Sequence, residues 1–532
     1  MVSHNSLEQP RVVIIGAGVG GMTMAIELKR MGFSNFTIIE KAAEVGGTWR
    51  DHIYPGCSSD VAVHFYSLST ELKPDWTHNF ALQPAIQEYW LQVARKHDLY
   101  ANIVFNRKVV SAQWDARAQQ YSILTEDLNG TKVVMTAAIL VSAVGVLEIP
   151  RFPDIPGISR FAGDSFHSAR WNNKVSLAGK RVAVIGGGAS AMQLVPRISQ
   201  DPSVQVTQFC RSRTWILPPV RKEFSATHKW LLRHMPFYLR IYRNFQFLMT
   251  ELAYLKIFGS HSGNRDVERL VKDYMLKATP KEYIHQVIPS DPDLKVGCKR
   301  VIFDTSYLAS LAQPNMELAW DPIESISEDA ILTKKGSTPF DVIIFCTGYI
   351  TDDYPIPIQG STDQTVAGYF KAHGGPTAYL GTTIPSFPNF FTLAGANTAT
   401  GHTSLLFAEE VQVQHILKLI KPIIAGHILS LEVTAEATDA YNRKIQSRLA
   451  GFIWAKCFSW YRTGNTGKIH GLFPGPMSLY WWWMRRPNWA HYKVITVGQW
   501  KPQQSFYCGT SAAMIGWLAF GVLAAALKWA YI

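Results

Sequence analysis

Val12-Val13-Ile14-Ile15-Gly16-Ala17-Gly18-Val19-Gly20-Gly21 is the stretch from which the fold follows. Four β-branched residues in a row mark a strand buried on both faces. The G-x-G-x-x-G set of Gly16, Gly18 and Gly21 comes next and opens a helical apolar pattern. In such a motif the first glycine turns the chain and the second lets backbone approach a pyrophosphate. The third lets the helix pack on the strand, and the helix N-terminus receives the negative charge. A second strand, Phe36 to Ile39, ends in Glu40, an acid placed to accept hydrogen bonds from a ribose. The same grammar returns at Arg181 to Ile185 followed by Gly186, Gly188, Ala189, Ser190 and Ala191, alanine still permitting close packing at the third position. The strand after it, Val204 to Phe209, ends in Cys210-Arg211, a cation where the first fold carries Glu40. Arginine there suits a 2′-phosphate and so selects NADPH over NADH. Two nucleotide folds of opposite charge at the ribose position imply FAD plus NADPH, with hydride passing between them. The fold class expected is α/β, with two Rossmann-like dinucleotide-binding domains.

Composition agrees with a folded, multi-domain chain. The 532 residues are 47% hydrophobic and 17% charged, with 38 Gly and 28 Pro, which excludes disordered, collagenous and multi-span membrane classes. Lys and Arg total 52 against 40 Asp and Glu, a formal net charge of +12. Over this length that is a mild preference for anionic partners such as phosphorylated cofactors or a membrane surface; no nucleic-acid partner is expected. Met1 to Pro10 is polar and the first strand follows at once, so no cleaved signal peptide is expected. The six cysteines, Cys57, Cys210, Cys298, Cys346, Cys457 and Cys508, are far apart and form no C-x-x-C. They read as reduced cytosolic thiols. Without a C-x-x-C or C-x4-C the chain does not fit the flavin disulfide reductases, which leaves oxygen or another non-dithiol acceptor. No histidine cluster has metal-ligand spacing, so no metal is expected.

The linker between the folds, Phe161-Ala-Gly163-Asp-Ser-Phe-His167-Ser-Ala-Arg-Trp171, fits F-x-G-x-x-x-H-x-x-x-W. On this linker and the blocks below, the chain resembles the flavin-dependent Baeyer–Villiger monooxygenases, in phrasing the fungal secondary-metabolite members, from about residue 10 to about residue 500. Trp171 favours the ketone-oxidising branch. The block Gly46-Gly47-Thr48-Trp49-Arg50-Asp51, then Asp60-Val61 and Tyr66, resembles the stretch that wraps the flavin, and Ser58 falls among its NADP contacts. Gly297-Cys298-Lys299-Arg300 resembles a G-x-K-R block, which implies Lys299 on NADP and Arg300 over the flavin. By the same resemblance the backbone of Val109 contacts the adenine.

The activity so implied is insertion of one oxygen atom from O2 beside the carbonyl of a hydrophobic ketone, through a C4a-peroxyflavin. An arginine cannot give up its proton at neutral pH, so Arg300 is expected to stabilise the peroxyanion, with Asp60 orienting it. His167 and Trp171 are expected to couple motion of the NADPH domain to the flavin site. Heteroatom oxygenation or hydroxylation on the same scaffold is an alternative. A membrane-anchored NADPH-flavin reductase is another.

The order expected along the chain is an FAD domain over residues 1–150, then an NADPH domain over 151–220 and 290–385, interrupted by a helical insertion at 221–289. Residues 386–504 return to the FAD domain and carry an aromatic substrate-pocket segment, Trp460-Tyr461-Arg462 to Trp481-Trp482-Trp483. Asn129-Gly130 reads as a hairpin turn. Ser505 to Leu527 has no charge over 23 residues, roughly 35 Å as a helix, with Phe506 and Tyr507 at one end and Lys528, Trp529 and Tyr531 at the other as interfacial anchors. A C-terminal membrane helix with a cytosolic catalytic body, on the endoplasmic reticulum, is the expectation.

Overall fold

The structure is a computed structural model that describes residues 9–258 and 261–502. The Val12–Ile15 strand sits third in a five-stranded parallel sheet with Phe390–Thr392, Ile139–Ser142, Phe36–Ile39 and Ile103–Val104. All four of its residues are buried, as a central strand covered on both faces requires. The Arg181–Ile185 strand has the same place in a second parallel sheet, between Gln205–Phe209 and Val342–Phe345. The fold is α/β with two dinucleotide-binding sheets.

One edge of the second sheet is unexpected. Asp164–His167, inside the F-x-G-x-x-x-H-x-x-x-W segment, is its fifth strand, paired in parallel with Val342–Phe345 so that His167 faces Phe345. A Cβ on Gly163 would fall 2.6 Å from the carbonyl oxygen of Asp341 and 2.8 Å from the Phe161 ring. The strand therefore starts at a position that accepts no side chain, which explains the phenylalanine–glycine pairing of the motif. The Asn129-Gly130 hairpin forms between Gln120–Asp127 and Lys132–Ala137, with Asp127 Oδ1 accepting from the amides of Asn129 and Thr131, both at 2.9 Å.

The stretch after Arg221 folds as helices Ala226–His234, Pro236–Ile257 and His261–Ala278. It is fastened to the chain's return by one buried carboxylate. Glu251 accepts from the amides of Met477 (2.9 Å) and Ser478 (3.1 Å) and from the Ser478 hydroxyl (2.6 Å), and it faces His402 Nε2 at 3.3 Å. Burial alone would raise its pKa; these donors, the His402 bond foremost, outweigh that and lower it. The amides belong to the first turn of the Met477–Met484 helix, where a carboxylate is favoured.

One expectation is corrected here. Cys298 and Cys457 are not free thiols: they form a disulfide across a sequence separation of 159 residues, a pairing that local spacing cannot reveal. Trp481 to Trp483 lie on the Met477–Met484 helix, with Trp483 under Lys444 and Trp482 under Arg485. No helix among the described residues is long and apolar enough to cross a membrane; the run 505–527 lies outside the described residues.

Candidate active site

Both glycine loops open on a helix that lacks a side-chain cap. Gly18 precedes Val19–Arg30 and Gly188 precedes Ala189–Ile198, neither with a capping hydrogen bond from a side chain and neither with an acid in the first turn. Free first-turn amides beside backbone without side chains fit a pyrophosphate at each. The glycines of these motifs differ in what surrounds them. A Cβ on Gly21 would lie 1.9 Å from the Gly16 carbonyl oxygen, whereas a Cβ on Gly188 would meet no atom within 4 Å. Glycine at 21 is demanded by the protein's own packing, whereas Gly188 faces open space at the helix start.

Glu40 ends the second strand, buried, and is shared between two tasks. Its Oε2 accepts from the Ala17 amide at 2.7 Å, and Oε1 accepts from the Ala42 amide at 2.9 Å and from Arg50 at 3.0 Å. An ionised carboxylate has about four acceptor positions, so capacity remains for a ribose hydroxyl. Arg50 also forks onto Asp51 at 2.7 and 2.9 Å. Gly47 lies against the Gly18 backbone, a Cβ on it falling 3.0 Å from Gly18 Cα, and starts the short Thr48–Asp51 helix. Trp49 then donates to the Tyr66 hydroxyl at 3.1 Å. Val109, which the resemblance puts at the adenine, sits at an irregularity in the Arg107–Asp115 strand, buried.

On the NADPH side, Ser58 accepts from Gln193 Nε2 at 3.1 Å through both its hydroxyl and its carbonyl oxygen. Gln193 Oε1 also accepts from the Tyr54 hydroxyl at 2.8 Å. This fixes the loop that leads to Asp60 onto the helix bearing Ala189, Ser190 and Ala191. Lys299 donates to the Ser212 hydroxyl at 2.8 Å and the Arg213 carbonyl oxygen at 3.2 Å. Burial and then the charge of Arg211 lower its pKa. Arg211 itself is exposed and stacks over Phe458. Two cations converging at the end of the ribose-position strand suit the extra phosphate of NADPH. Arg211→Ala is expected to reduce the NADPH-over-NADH ratio of kcat/KM by about 10- to 100-fold, the effect of roughly 1.5–3 kcal/mol for hydrogen bonds to a charged group. Steady-state kinetics with both nucleotides measures it.

Arg300 and Asp60 meet in a forked ion pair. Arg300 donates from Nε to Asp60 Oδ2 and from Nη2 to Oδ1, both at 2.7 Å, and from Nη1 to the Thr400 carbonyl oxygen at 3.3 Å. Burial alone would lower the guanidinium pKa; the Asp60 charge and hydrogen bonds, with Tyr461 beside it, raise it instead. The cation is therefore permanent. Asp60 is presented by a local clamp in which the Ser59 hydroxyl both accepts from the Val61 amide and donates to its carbonyl oxygen, each at 3.0 Å. A cleft runs from Ser142 and Val144 past Leu393–Ala396 to Thr398, Ala399 and Trp460, one residue from Thr400 and from Tyr461. A smaller hollow is lined by Lys299 and Arg300 themselves.

His167 is buried at the end of the Asp164–His167 strand. Its Nδ1 accepts from the Ala169 amide at 3.1 Å, capping the turn that follows, and burial above all lowers its pKa to about 4. It stays neutral and structural. Trp171 meets Phe166 edge-on, with ring centroids 5.2 Å apart. Among the described residues no group of three His, Cys, Asp or Glu is arranged to hold a metal ion.

Three site neighbours did not emerge from motif reading: Thr400, Tyr461 as the partner of Arg300, and Glu409. Two adjacent acids inside the apolar helix Leu405–Ile424 were the available signal for the last. Burial, and then Glu410, push the Glu409 carboxyl up to about 8, and its Oε1 lies 3.0 Å from a Cβ built on Gly20. The fold thus holds Glu409 protonated where the unfolded chain ionises it. Stability from this group is complete below the ordinary glutamate pKa and is lost as pH rises through about 8. Glu409→Gln should flatten the Tm-versus-pH curve of the FAD-loaded enzyme over that window, raising Tm at its alkaline end by about 3 °C or more. Parallel curves for variant and parent would refute the assignment.

Two nucleotide folds facing one fixed arginine–carboxylate pair define a flavoprotein oxidoreductase fed by NADPH. The chain belongs to the flavin-binding monooxygenase-like family, whose model matches residues 9–369. A Baeyer-Villiger monooxygenase of Streptomyces coelicolor is 34% identical over 504 residues, covering 93% of this chain and 95% of that protein. The FAD-binding monooxygenase ktnD of Aspergillus niger is 33% identical over 515 residues, 92% and 83% of the two chains. The crystal structure of OTEMO complexed with FAD and NADP shares the fold at a TM-score of 0.82 and 24% identity, over 92% of this chain and 100% of that one. The chain is an FAD- and NADPH-dependent monooxygenase of the Baeyer–Villiger type.

Proposed function

We propose that this enzyme oxidises a bulky hydrophobic ketone of secondary metabolism to its ester or lactone, with Arg300 as the cation that holds the developing negative charge and Asp60 as its positioning partner. The observation that carries this is the Arg300–Asp60 fork, 2.7 Å on both arms, beside an apolar cleft. FAD, when bound, supplies hydride acceptance from NADPH and activation of O2. The protein's part is electrostatic. A permanent guanidinium stabilises an oxyanion without donating its proton away, and it is fixed in place before reaction. Gly16, Gly18 and Gly21 with Glu40 would hold the FAD pyrophosphate and ribose. Gly186, Gly188 and Ser190 with Arg211 and Lys299 would hold NADPH. The similarity to ktnD and to the FAD-binding monooxygenase tazF of Aspergillus terreus supports a secondary-metabolite setting.

The test is product analysis under 18O2 with NADPH and a panel of aryl and polycyclic ketones. An ester bearing one labelled oxygen supports the reading; N-oxides, S-oxides or alcohols from a parallel panel, without ester, would favour the heteroatom or hydroxylating alternative.

The same reading seats the enzyme on a membrane surface. The uncharged run 505–527 supports it, as do Phe237, Ile241, Phe245 and Met249, exposed at four-residue intervals along Pro236–Ile257, the spacing of one helix face. Full-length protein is expected to float with phosphatidylserine vesicles, and less so when residues 503–532 are removed or when Phe237 and Ile241 become glutamate. Protein that stays at the bottom of the gradient would refute the placement.

A further inference from the structure

The segment carrying Lys299 and Arg300 is covalently tied to the segment carrying Trp460 and Tyr461. Cys298 directly precedes the two cations, and its disulfide partner Cys457 stands four residues before Tyr461, with the two Cα atoms 5.7 Å apart. A second link runs alongside, Trp454 Nε1 donating to the Gly297 carbonyl oxygen at 2.9 Å. Arg300 is thereby bracketed, by the disulfide on its N-terminal side and by Asp60, Thr400 and Tyr461 at its guanidinium. Cys57, Cys210 and Cys346 are free, and they are buried as Cys298 and Cys457 are. Only the pair beside the catalytic cation is bonded among the described cysteines.

We propose that Cys298 and Cys457 are a redox modification site whose bonded state fixes Arg300 for oxygen insertion and whose dithiol state loosens it. This rests on the oxygenase reading above. The oxidant is hydrogen peroxide, the product when activated oxygen escapes such an enzyme without reaching substrate. One thiolate attacks a peroxide oxygen and the O–O bond breaks, leaving a sulfenic acid and a hydroxide that takes the thiol proton as water. The second thiolate attacks the sulfenic sulfur, the S–S bond forms, and a second water leaves. Two electrons pass from the sulfurs to the peroxide. A small dithiol reverses the bond by exchange. Peroxide leaking from a loosened site thus closes the bond that tightens it.

The experiment uses the full-chain FAD enzyme, reduced with dithiothreitol and desalted, then split and half treated with hydrogen peroxide. Alkylation under denaturing conditions followed by peptide mass analysis reports the state of the pair. Ester formed per NADPH consumed reports coupling. The dithiol form is expected to couple about tenfold less well, a fraction of the loss from a roughly 1 Å misplacement of a catalytic group, with more hydrogen peroxide released. Peroxide treatment is expected to restore coupling as the Cys298–Cys457 peptide pair becomes lighter by two hydrogens. The Cys298→Ser/Cys457→Ser enzyme should behave as the dithiol form under both treatments. Equal coupling in the two states, or a pair that neither reagent interconverts, overturns the proposal, and the wild-type comparison needs no variant to fold. NADPH oxidation without ester in either state overturns the oxygenase reading instead, and this inference with it; the mass analysis tells the two failures apart.

Discussion

Arg300→Ala is expected to cut ester formation by about 10²–10³-fold, the effect of removing one preorganised stabiliser of an oxyanion, while reduction of the flavin by NADPH proceeds at close to the parent rate. The separation follows from what each part of the segment holds. Lys299 reaches Ser212 and Arg213 on the nucleotide side, whereas Arg300 points the other way, onto Asp60 and Thr400. Losing the guanidinium therefore removes charge from the oxygen-transfer side and leaves the hydride-transfer side built. Arg300→Lys should recover little of the loss. An ammonium keeps the charge but cannot make two parallel bonds to Asp60, so it settles elsewhere. Asp60→Ala should lie between the parent and Arg300→Ala, since the cation survives without its orienting partner. Anaerobic reduction rates set beside product yield and hydrogen peroxide release decide the matter. A parallel fall in flavin reduction would move Arg300 from oxygen transfer to nucleotide binding.

Gly21→Ala and Gly188→Ala should fail in opposite ways although they are the same change in the same kind of loop. At Gly21 the new methyl would fall 1.9 Å from the Gly16 carbonyl oxygen. Backbone on both sides cannot yield, so the helix Val19–Arg30 must lift from the strand Val12–Ile15 at the centre of its sheet. The expected result is protein purified largely without FAD, or insoluble, with a loss of about 3 kcal/mol or more, beyond the usual range of overpacking. At Gly188 nothing lies within 4 Å. The protein should fold and keep its FAD, with Tm within about 1 °C of the parent as for ordinary surface changes, and KM for NADPH should rise about tenfold or more because the methyl occupies the phosphate approach. Flavin content, thermal melting and NADPH titration distinguish the cases. A Gly188→Ala enzyme with unchanged KM would show that the pyrophosphate does not pass there.

These contrasts mark how far the sequence could be read. Glycine loops, the β-branched runs before them and the charges of Glu40 and Arg211 are legible because backbone sterics and ribose chemistry act within a few dozen residues. The Asn129-Gly130 hairpin is legible for the same reason. Phe390–Thr392 is different: it completes the first sheet beside Ile139–Ser142, and only a resemblance pointed to it, since no local pattern states a partner so far along the chain. Asp164–His167 reads as a polar linker, and its pairing with Val342–Phe345 is fixed by the distant strand rather than by its own composition. The Arg300–Asp60 pair was foreseen by resemblance alone. The Cys298–Cys457 bond, the Tyr461 contact and the protonated Glu409 were hidden because each depends on which remote segments meet.

The Glu251 fastening bears on the building of chimeras from this enzyme. The helical insertion looks like a cassette, bounded by loops and free to be exchanged between relatives to alter the enzyme's surface or substrate reach. Its carboxylate, however, supplies the acceptor for two amides of a helix more than 200 residues downstream and stands beside His402. A crossover that imports the insertion without Ser478 and His402, or replaces Glu251 within it, strands buried donors at a helix start. Productive chimeras should therefore inherit the insertion and the residues around 402 and 477–478 from the same parent.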